Sequence, residues 1–343
     1  MSISVGLLDV SDSVCDTFIS QRPDARIGHL PAWGAMVEQV TGHKQFYLVA
    51  RDAGRICGVL PLTHARSYLF GNRMISQGFS TYGGILADNQ QARDALFEFA
   101  VELAKRLNCE SIEFRNAEPL PYDLCLREDK LTMLIALEGG VDQVWNNFRP
   151  EIRKQTRKAE KEGVVAVDGG VELLDDFYEI YSKKMHELGT PAYPRKLMAA
   201  MLQIFPENVR LFATRLGNKS VSAGLMTYFN GVAEIPWSAA LSEYDHLYSN
   251  RLLYWTIIKY YCDRGAKIFD FGRSSVDSGN YEFKRRWRAE PVRLYYQYWI
   301  YPGRRLSIIS PDNPKFNKKV EMWKKMPLWT ARLLGPYISR NLL

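Results

Sequence analysis

The sequence predicts an α/β protein, α+β in detail, built from two similar halves packed with a cleft between them. Three observations carry this. A plan of antiparallel strands, one helix and one returning strand is written twice, roughly 160 residues apart. The chain has 343 residues, more than a typical single domain. Its 46% hydrophobic and 24% charged residues are ordinary for a globular protein with ample core.

In the first half, Phe46-Tyr47-Leu48-Val49-Ala50 reads as a strand and Arg51-Asp52-Ala53-Gly54 as a turn. Residues 56–62 form a second strand and 74–86 a third, glycine-rich one. Ala92, Leu96, Phe99, Ala100, Leu103 and Leu107 recur at helical spacing over 91–107, and the strand Ser111-Ile112-Glu113-Phe114 follows. The second half repeats this with strands at 210–214, 221–229 and 232–240, the last two joined by the hairpin signal Asn230-Gly231. A helix over 248–264 then leads to a strand at 267–271, so Phe269-Asp270-Phe271 answers Ile112-Glu113-Phe114. The implied divisions are 1–140, 141–305 and a tail, 306–343.

A basic helix over 141–162 joins the halves. Trp145, Phe148, Ile152 and Ala159 mark its apolar face. Arg149, Arg153, Arg157 and Lys161 recur every fourth residue and share the other side with Lys154 and Lys158. Like charges at that spacing cost a few tenths of a kcal/mol per pair. The stripe therefore either serves an anion or is a solvated face.

The strand at 267–271 runs into Gly272-Arg273-Ser274-Ser275-Val276-Asp277-Ser278-Gly279-Asn280, then Tyr281-Glu282-Phe283-Lys284-Arg285-Arg286-Trp287-Arg288. A strand end, a flexible loop and concentrated positive charge form a common layout for handling an anionic substrate. A surface loop before a solvated basic face has the same composition. Asp270, at the strand end, is placed either for a structural hydrogen bond or for a general base. Asn250-Arg251, at a helix start, either caps the helix or contacts substrate, with Asn250 the capping residue.

The net charge of +7 favours anionic partners such as phosphates, RNA or acidic lipid. Five scattered cysteines without Cys-x-x-Cys give no disulfide framework and no zinc site, in keeping with a cytoplasmic protein. The five histidines stand alone, so no metal is expected. Gly-x-Ser-x-Gly, Walker and paired-glycine dinucleotide motifs are missing, which argues against serine hydrolases, P-loop enzymes and Rossmann dehydrogenases. The N-terminus lacks a basic stretch with a long apolar core and no run of 18 apolar residues occurs, so neither secretion nor a membrane span is expected. Residues 315–343 hold seven basic residues and one acid, Glu321, interleaved with Trp323, Met326, Leu328, Trp329, Leu333, Leu334, Tyr337 and Ile338. This tail either docks on an anionic inner-membrane surface or packs on the body of the protein.

The duplicated plan, the basic stretch Arg149-Pro150-Glu151-Ile152-Arg153-Lys154-Gln155-Thr156-Arg157-Lys158-Ala159 and the segment 269–287 resemble FemABX-type aminoacyl transferases. The resemblance is nearest to the branch associated with PEP-CTERM/exosortase exopolysaccharide systems. Phe269-Asp270-Phe271-Gly272-Arg273-Ser274, Gly279-x-Tyr281-x-Phe283-Lys284-x-x-Trp287 and the tail from Asn313-Pro314-Lys315-Phe316 to Leu334-Gly335-Pro336 carry it.

The resemblance implies two tandem GNAT-like domains and transfer of an acyl or aminoacyl group to an amine. The second domain would carry the transfer site. Lys284, Phe283 and Tyr281 would lie at that site, with the Lys284 ammonium stabilising a tetrahedral oxyanion or a donor phosphate and Tyr281 either hydrogen-bonding in the groove or packing in the core. Arg273, Ser274, Gly279, Asn250, Arg153, Lys154, Arg157 and Trp287 would bind substrate, with Trp287 either stacking on a base or sugar or packing in the core. No permanent cofactor is implied, and aminoacyl-tRNA or acyl-CoA would be the co-substrate. The acceptor would be an amino sugar or peptide of an envelope or exopolysaccharide precursor.

The chain departs from acetyl-CoA-binding GNAT domains at the turn into each central helix. Asp88-Asn89-Gln90-Gln91-Ala92-Arg93 and Leu247-Tyr248-Ser249-Asn250-Arg251 lack the glycines that cradle pyrophosphate. That tilts the donor towards aminoacyl-tRNA or another activated acyl group. A CoA-dependent N-acyltransferase and a non-catalytic tRNA or anionic-polymer binding module are the alternatives.

Overall fold

The computed structural model describes residues 3–8, 14–68, 70–276, 278–306 and 317–343. Asn313-Pro314-Lys315-Phe316 and Asp277 lie outside them. Two compact units result. One runs to Lys130 and takes in a segment starting at Arg293 and the residues Asn341–Leu343; the other comprises Leu131–Val292 and the tail as far as Arg340. The expected boundaries at 140 and 305 therefore differ from the observed ones.

The first unit contains β1 (Ser4–Leu8), α1 (Asp16–Ser20), α2 (Pro31–Thr41), β2 (Lys44–Asp52), β3 (Arg55–Ser67), β4 (Gly71–Ile75) and β5 (Leu86–Ala87). α3 (Gln90–Arg106), β6 (Ser111–Asn116) and β7 (Cys125–Arg127) follow. Asn89 starts α3 by accepting the Ala92 N–H through its side chain at 2.9 Å. The apolar stripe of α3, Ala92, Leu96, Ala100 and Leu103, is buried in one core with Leu48, Leu60, Leu62, Ile112 and Phe114. The expected strand at 74–86 is interrupted. Gln77 and Phe79 take φ of 63° and 59°, a left-handed conformation that no strand tolerates, so β4 ends at Ile75.

The second unit begins with β8 (Lys130–Ala136), α4 (Gly140–Asn147), α5 (Pro150–Lys161), β9 (Val164–Gly169), α6 (Leu174–Glu187) and α7 (Arg195–Ile204). β10 (Val209–Leu216), β11 (Lys219–Phe229), β12 (Val232–Ala240), α8 (Ser249–Asp263) and β13 (Ile268–Asp270) follow. After them come β14 (Ser274–Ser275), α9 (Gly279–Arg286) and β15 (Glu290–Arg293). β16 (Tyr295–Ile300) belongs to the sheet of the first unit, while α10 (Asn317–Lys325) and α11 (Leu328–Ser339) form the tail. The single helix expected over 141–162 is two helices. Pro150 cannot follow a helical residue without a clash, so Phe148 closes α4 and Pro150 opens α5 at a position where its missing N–H costs nothing.

Along their main paths the two sheets match strand for strand, with β5 added on β3 in the first and β15 on β8 in the second. The first runs β1-β2-β3-β4-β6-β16-β7 and the second β9-β10-β11-β12-β13-β8-β14. In each, one parallel pair, β4–β6 or β12–β13, is made by the crossover through the central helix α3 or α8. Each sheet also takes its next strand from the other half of the sequence: β16 lies antiparallel to β6, and β8 antiparallel to β13.

The core of the second unit joins Phe212, Met226, Ile235, Ile257, Ile258, Phe269 and Phe271 to Val144, Phe148 and Ile152 of the basic helices. Trp287 belongs to this core. It is fully buried, with its ring centroid 5.0 Å from Phe148 and 5.9 Å from Tyr254. Of the two roles open for Trp287, it takes core packing, and it offers no surface on which a base could stack. Trp287→Ala is expected to cost about 3–5 kcal/mol of stability in urea denaturation; a variant as stable as wild type would contradict this placement.

Candidate functional site in the second unit

The site is built around the end of β13. Asp270 Oδ1 accepts hydrogen bonds from Thr132 Oγ1 and, at 2.7 Å, from the Gly272 N–H. The carboxylate thus fixes the strand end, which is the structural one of its two possible roles. Gly272 has φ of 70°, and a Cβ there would lie 3.0 Å from the Ile235 carbonyl. The chain turns at this glycine into Arg273 and β14. Ser278 then starts α9, accepting the Tyr281 N–H at 3.2 Å and donating to Ser275 O at 2.8 Å.

Lys284 points back from α9 into the protein and is 4% exposed. Its ammonium donates to Gly272 O at 2.7 Å and to Arg273 O at 3.1 Å. It therefore buckles the loop to the helix. Burial, opposed by the negative charges of Asp270 and Glu234, brings its pKa down from 10.5 to about 8.

Phe283 packs half-buried on the core, 5.2 Å from the ring of Tyr254, and Tyr281, also half-buried, packs against the same core. Arg273 is half-buried and Ser274 is buried with its Oγ unpaired. Gly279 opens α9 on the surface, where an added Cβ would meet nothing within 4 Å. The protein itself does not require glycine there.

A second cluster adjoins Phe283. Arg251 in the first turn of α8 is 7% exposed, and its guanidinium lies 4.3 Å from the Phe283 ring centroid. Its Nε donates to Gln155 Oε1 of α5 at 2.9 Å, while its buried Nη1 has no hydrogen-bond partner. Burial, and then repulsion from Arg286, brings its pKa down to about 10. A cation in the first turn also opposes the helix dipole. The helix follows Tyr248, at φ of 54°, without a side-chain cap. Asn250 is inside α8 and is not its cap.

The basic stripe divides. Arg153 Nη1 donates to Asn146 O at 3.3 Å, and Arg157 lies 5.5 Å over the ring of Trp145, so both lean back on α4. Lys154 is exposed. The structure thus gathers Lys284, Phe283, Tyr281, Arg273 and Ser274 about one strand end. Gln155 and Arg251 join them through Phe283, whereas Arg153, Arg157 and Lys154 lie elsewhere on the helix. Gln155 had no sequence signal. Arg251 had one, a cation in a helix's first turn. Among the described residues, no group of His, Cys, Asp or Glu side chains could hold a metal ion.

The first unit has a pocket of about 130 Å³ at the end of its own β6, lined by His29, Tyr82, Arg93, Arg115 and Asn116 among others. Glu113 pairs with Arg115 at 2.7 Å, and the Asn116 Oδ1 is buried and unpaired. Burial alone would drive His29 neutral, and its pKa falls to about 4.

Two predictions follow from the loop. Because the folded chain holds the Lys284 proton less tightly than the unfolded chain, the charge penalises folding below about pH 8. That penalty lifts as pH climbs towards 10.5. The stability of wild type relative to Lys284→Met should therefore rise across that window, read by urea denaturation at successive pH values; a flat difference overturns the assignment. Gly272→Ala should lose about 1–3 kcal/mol, while Gly279→Ala should lose almost nothing. Equal losses at both positions would refute the turn geometry.

Residues 146–285 match the family described as Acetyltransferase (GNAT) domain. A comparison with curated proteins finds no match. Among solved structures, FemX is similar at TM-score 0.67 and 15% identity, over 86% of this chain and 97% of that one. L-PGS from Bacillus licheniformis gives TM-score 0.58 and 12% identity, over 93% and 96%. A tandem GNAT protein from the clavulanic acid biosynthesis pathway gives 0.53 and 12%, over 87% and 98%. The chain therefore has the tandem GNAT-like α/β fold, with an acetyltransferase-type domain in its second half.

Proposed function

We propose that this chain is a cytoplasmic transferase. It moves an acyl or aminoacyl group from an anionic, activated donor to an amine of a cell-envelope or exopolysaccharide precursor. One observation carries the reading: the buried Arg251 guanidinium, with an unpaired Nη1, at the uncapped start of α8. A buried cation facing another cation and a helix N-terminus is costly until an anion arrives. A phosphate of the donor supplies that charge. The match to a GNAT domain and the likeness to FemX support the same class.

The acceptor amine attacks the donor carbonyl carbon, forming the C–N bond and moving the π electrons onto oxygen. Collapse of the tetrahedral oxyanion reforms C=O and breaks the C–O or C–S bond. The amine proton leaves with the departing oxygen or sulfur. Lys284 acts here by holding the loop, since its ammonium is occupied by Gly272 O and Arg273 O. Arg273, half-buried on that loop, orients the donor, and Phe283 keeps Arg251 in place.

Aminoacyl-tRNA is the favoured donor, because the glycine-free turn into α8 keeps a pyrophosphate from close contact with backbone N–H groups. A CoA-dependent N-acyltransferase is the second reading, favoured by the GNAT match itself. Titration of wild type with charged tRNA and with acyl-CoA, followed by mass spectrometry of amine acceptors, separates the two. Arg251→Met should keep or raise stability while weakening the bound donor about tenfold or more. Unchanged affinity for both donors would defeat the reading, and tRNA binding without product would make the chain a binding module.

A further inference from the structure

The tail carries a feature that the transfer site leaves unused. α11 has two opposed faces. Ala331, Gly335 and Ser339, four residues apart, are buried. Ser339 Oγ donates to Ala192 O at 2.8 Å, and a Cβ on Gly335 would lie 3.4 Å from the Ala192 backbone. Arg332 pairs with Glu179 of α6 at 2.6 Å and donates to Ser182 Oγ at 3.0 Å. His186 of α6 donates to Met326 O at 2.8 Å, and Trp323 of α10 is buried. The tail is therefore fastened to the second unit along a seam of small residues.

The other face of α11 presents Trp329, Leu333 and Tyr337, also four residues apart and 71%, 59% and 64% exposed. Leu334 is exposed beside them. Packing against the body cannot account for these side chains, because the face that packs is the opposite one. A large aromatic at each end of an exposed leucine stripe is the pattern of an interfacial helix, since Trp and Tyr favour the boundary between headgroups and acyl chains. Charge agrees with this. Lys318, Met322 and Lys325 share an exposed face of α10, with Lys319 and Lys324 also exposed and Arg340 at the end of α11. Glu321 is the one acid on these two helices. A second copy of this chain would bring like charge against like charge, whereas an anionic lipid surface brings the complement.

We propose that α11, with the lysines of α10, docks the protein on an anionic bilayer surface, laying Trp329, Leu333 and Tyr337 into the headgroup region. No helix among the described residues is long and apolar enough to cross a membrane, so this attachment lies in the plane of the surface. The proposal is independent of the transfer chemistry, and its test leaves activity aside.

The full chain is sedimented with vesicles of phosphatidylcholine alone and with vesicles containing phosphatidylglycerol, at low and high salt. Wild type should partition onto the anionic vesicles and weaken as salt rises. Trp329→Ser/Leu333→Ser/Tyr337→Ser should lose about tenfold or more of that affinity with its thermal unfolding unchanged. Lys318→Gln/Lys325→Gln should lose about fivefold per charge on anionic vesicles. Brominated lipid should quench wild type more than Trp329→Phe. Equal partition of the triple variant, or equal binding to neutral vesicles, overturns the proposal. So does a dimer in solution that the triple variant dissolves, which would make the stripe a contact between copies.

Discussion

The second unit depends on the ammonium of Lys284 being taken out of water and given to two backbone carbonyls. Gly272 O and Arg273 O have left the β-ladder at the end of β13 and would otherwise be unmet in the interior. Both bonds need two N–H donors on one nitrogen at the end of a long side chain, which lysine supplies. The position of α9 follows from this contact. That in turn lodges Trp287 in the core, sets Phe283 against Tyr254 and closes Phe283 over Arg251. Asp270 completes the arrangement from the strand side, so opposite charges brace the loop at both of its ends.

The arrangement also explains why two buried cations persist in one unit. Lys284 is compensated by carbonyl dipoles and nearby carboxylates. Arg251 has Gln155, a neutral acceptor, and a distant Glu151, and one of its nitrogens remains unpaired. Core residues selected for stability alone would not include that guanidinium. The two groups therefore divide labour: one keeps the loop in shape, and the other keeps a place for negative charge.

The duplicated plan was legible because it rests on local periodicity. The apolar spacing of α3, the Asn230-Gly231 hairpin and the returning strand at Phe269 each declare themselves within a few residues. The break at Pro150 was equally local and could have been read from the proline. The left-handed Gln77 and Phe79 carry no such mark, since neither residue type favours that conformation. The inward aim of Lys284 was hidden for another reason. A basic-aromatic run reads as a charged surface, and only the tertiary position of Gly272 decides which cation turns inside. Membership of β8 and β16 was least visible, because pairing partners more than a hundred residues away leave no trace in either strand's composition.

That exchange of strands bears on how the chain is made. The edge of β6 stays open until residues 295–300 have been synthesised, since β16 covers it. The second sheet closes at almost the same point, since β15, which pairs with β8, ends at Arg293. For most of translation the first-made half remains an unfinished sheet edge, liable to pair with a neighbouring chain and dependent on the last-made strand for closure.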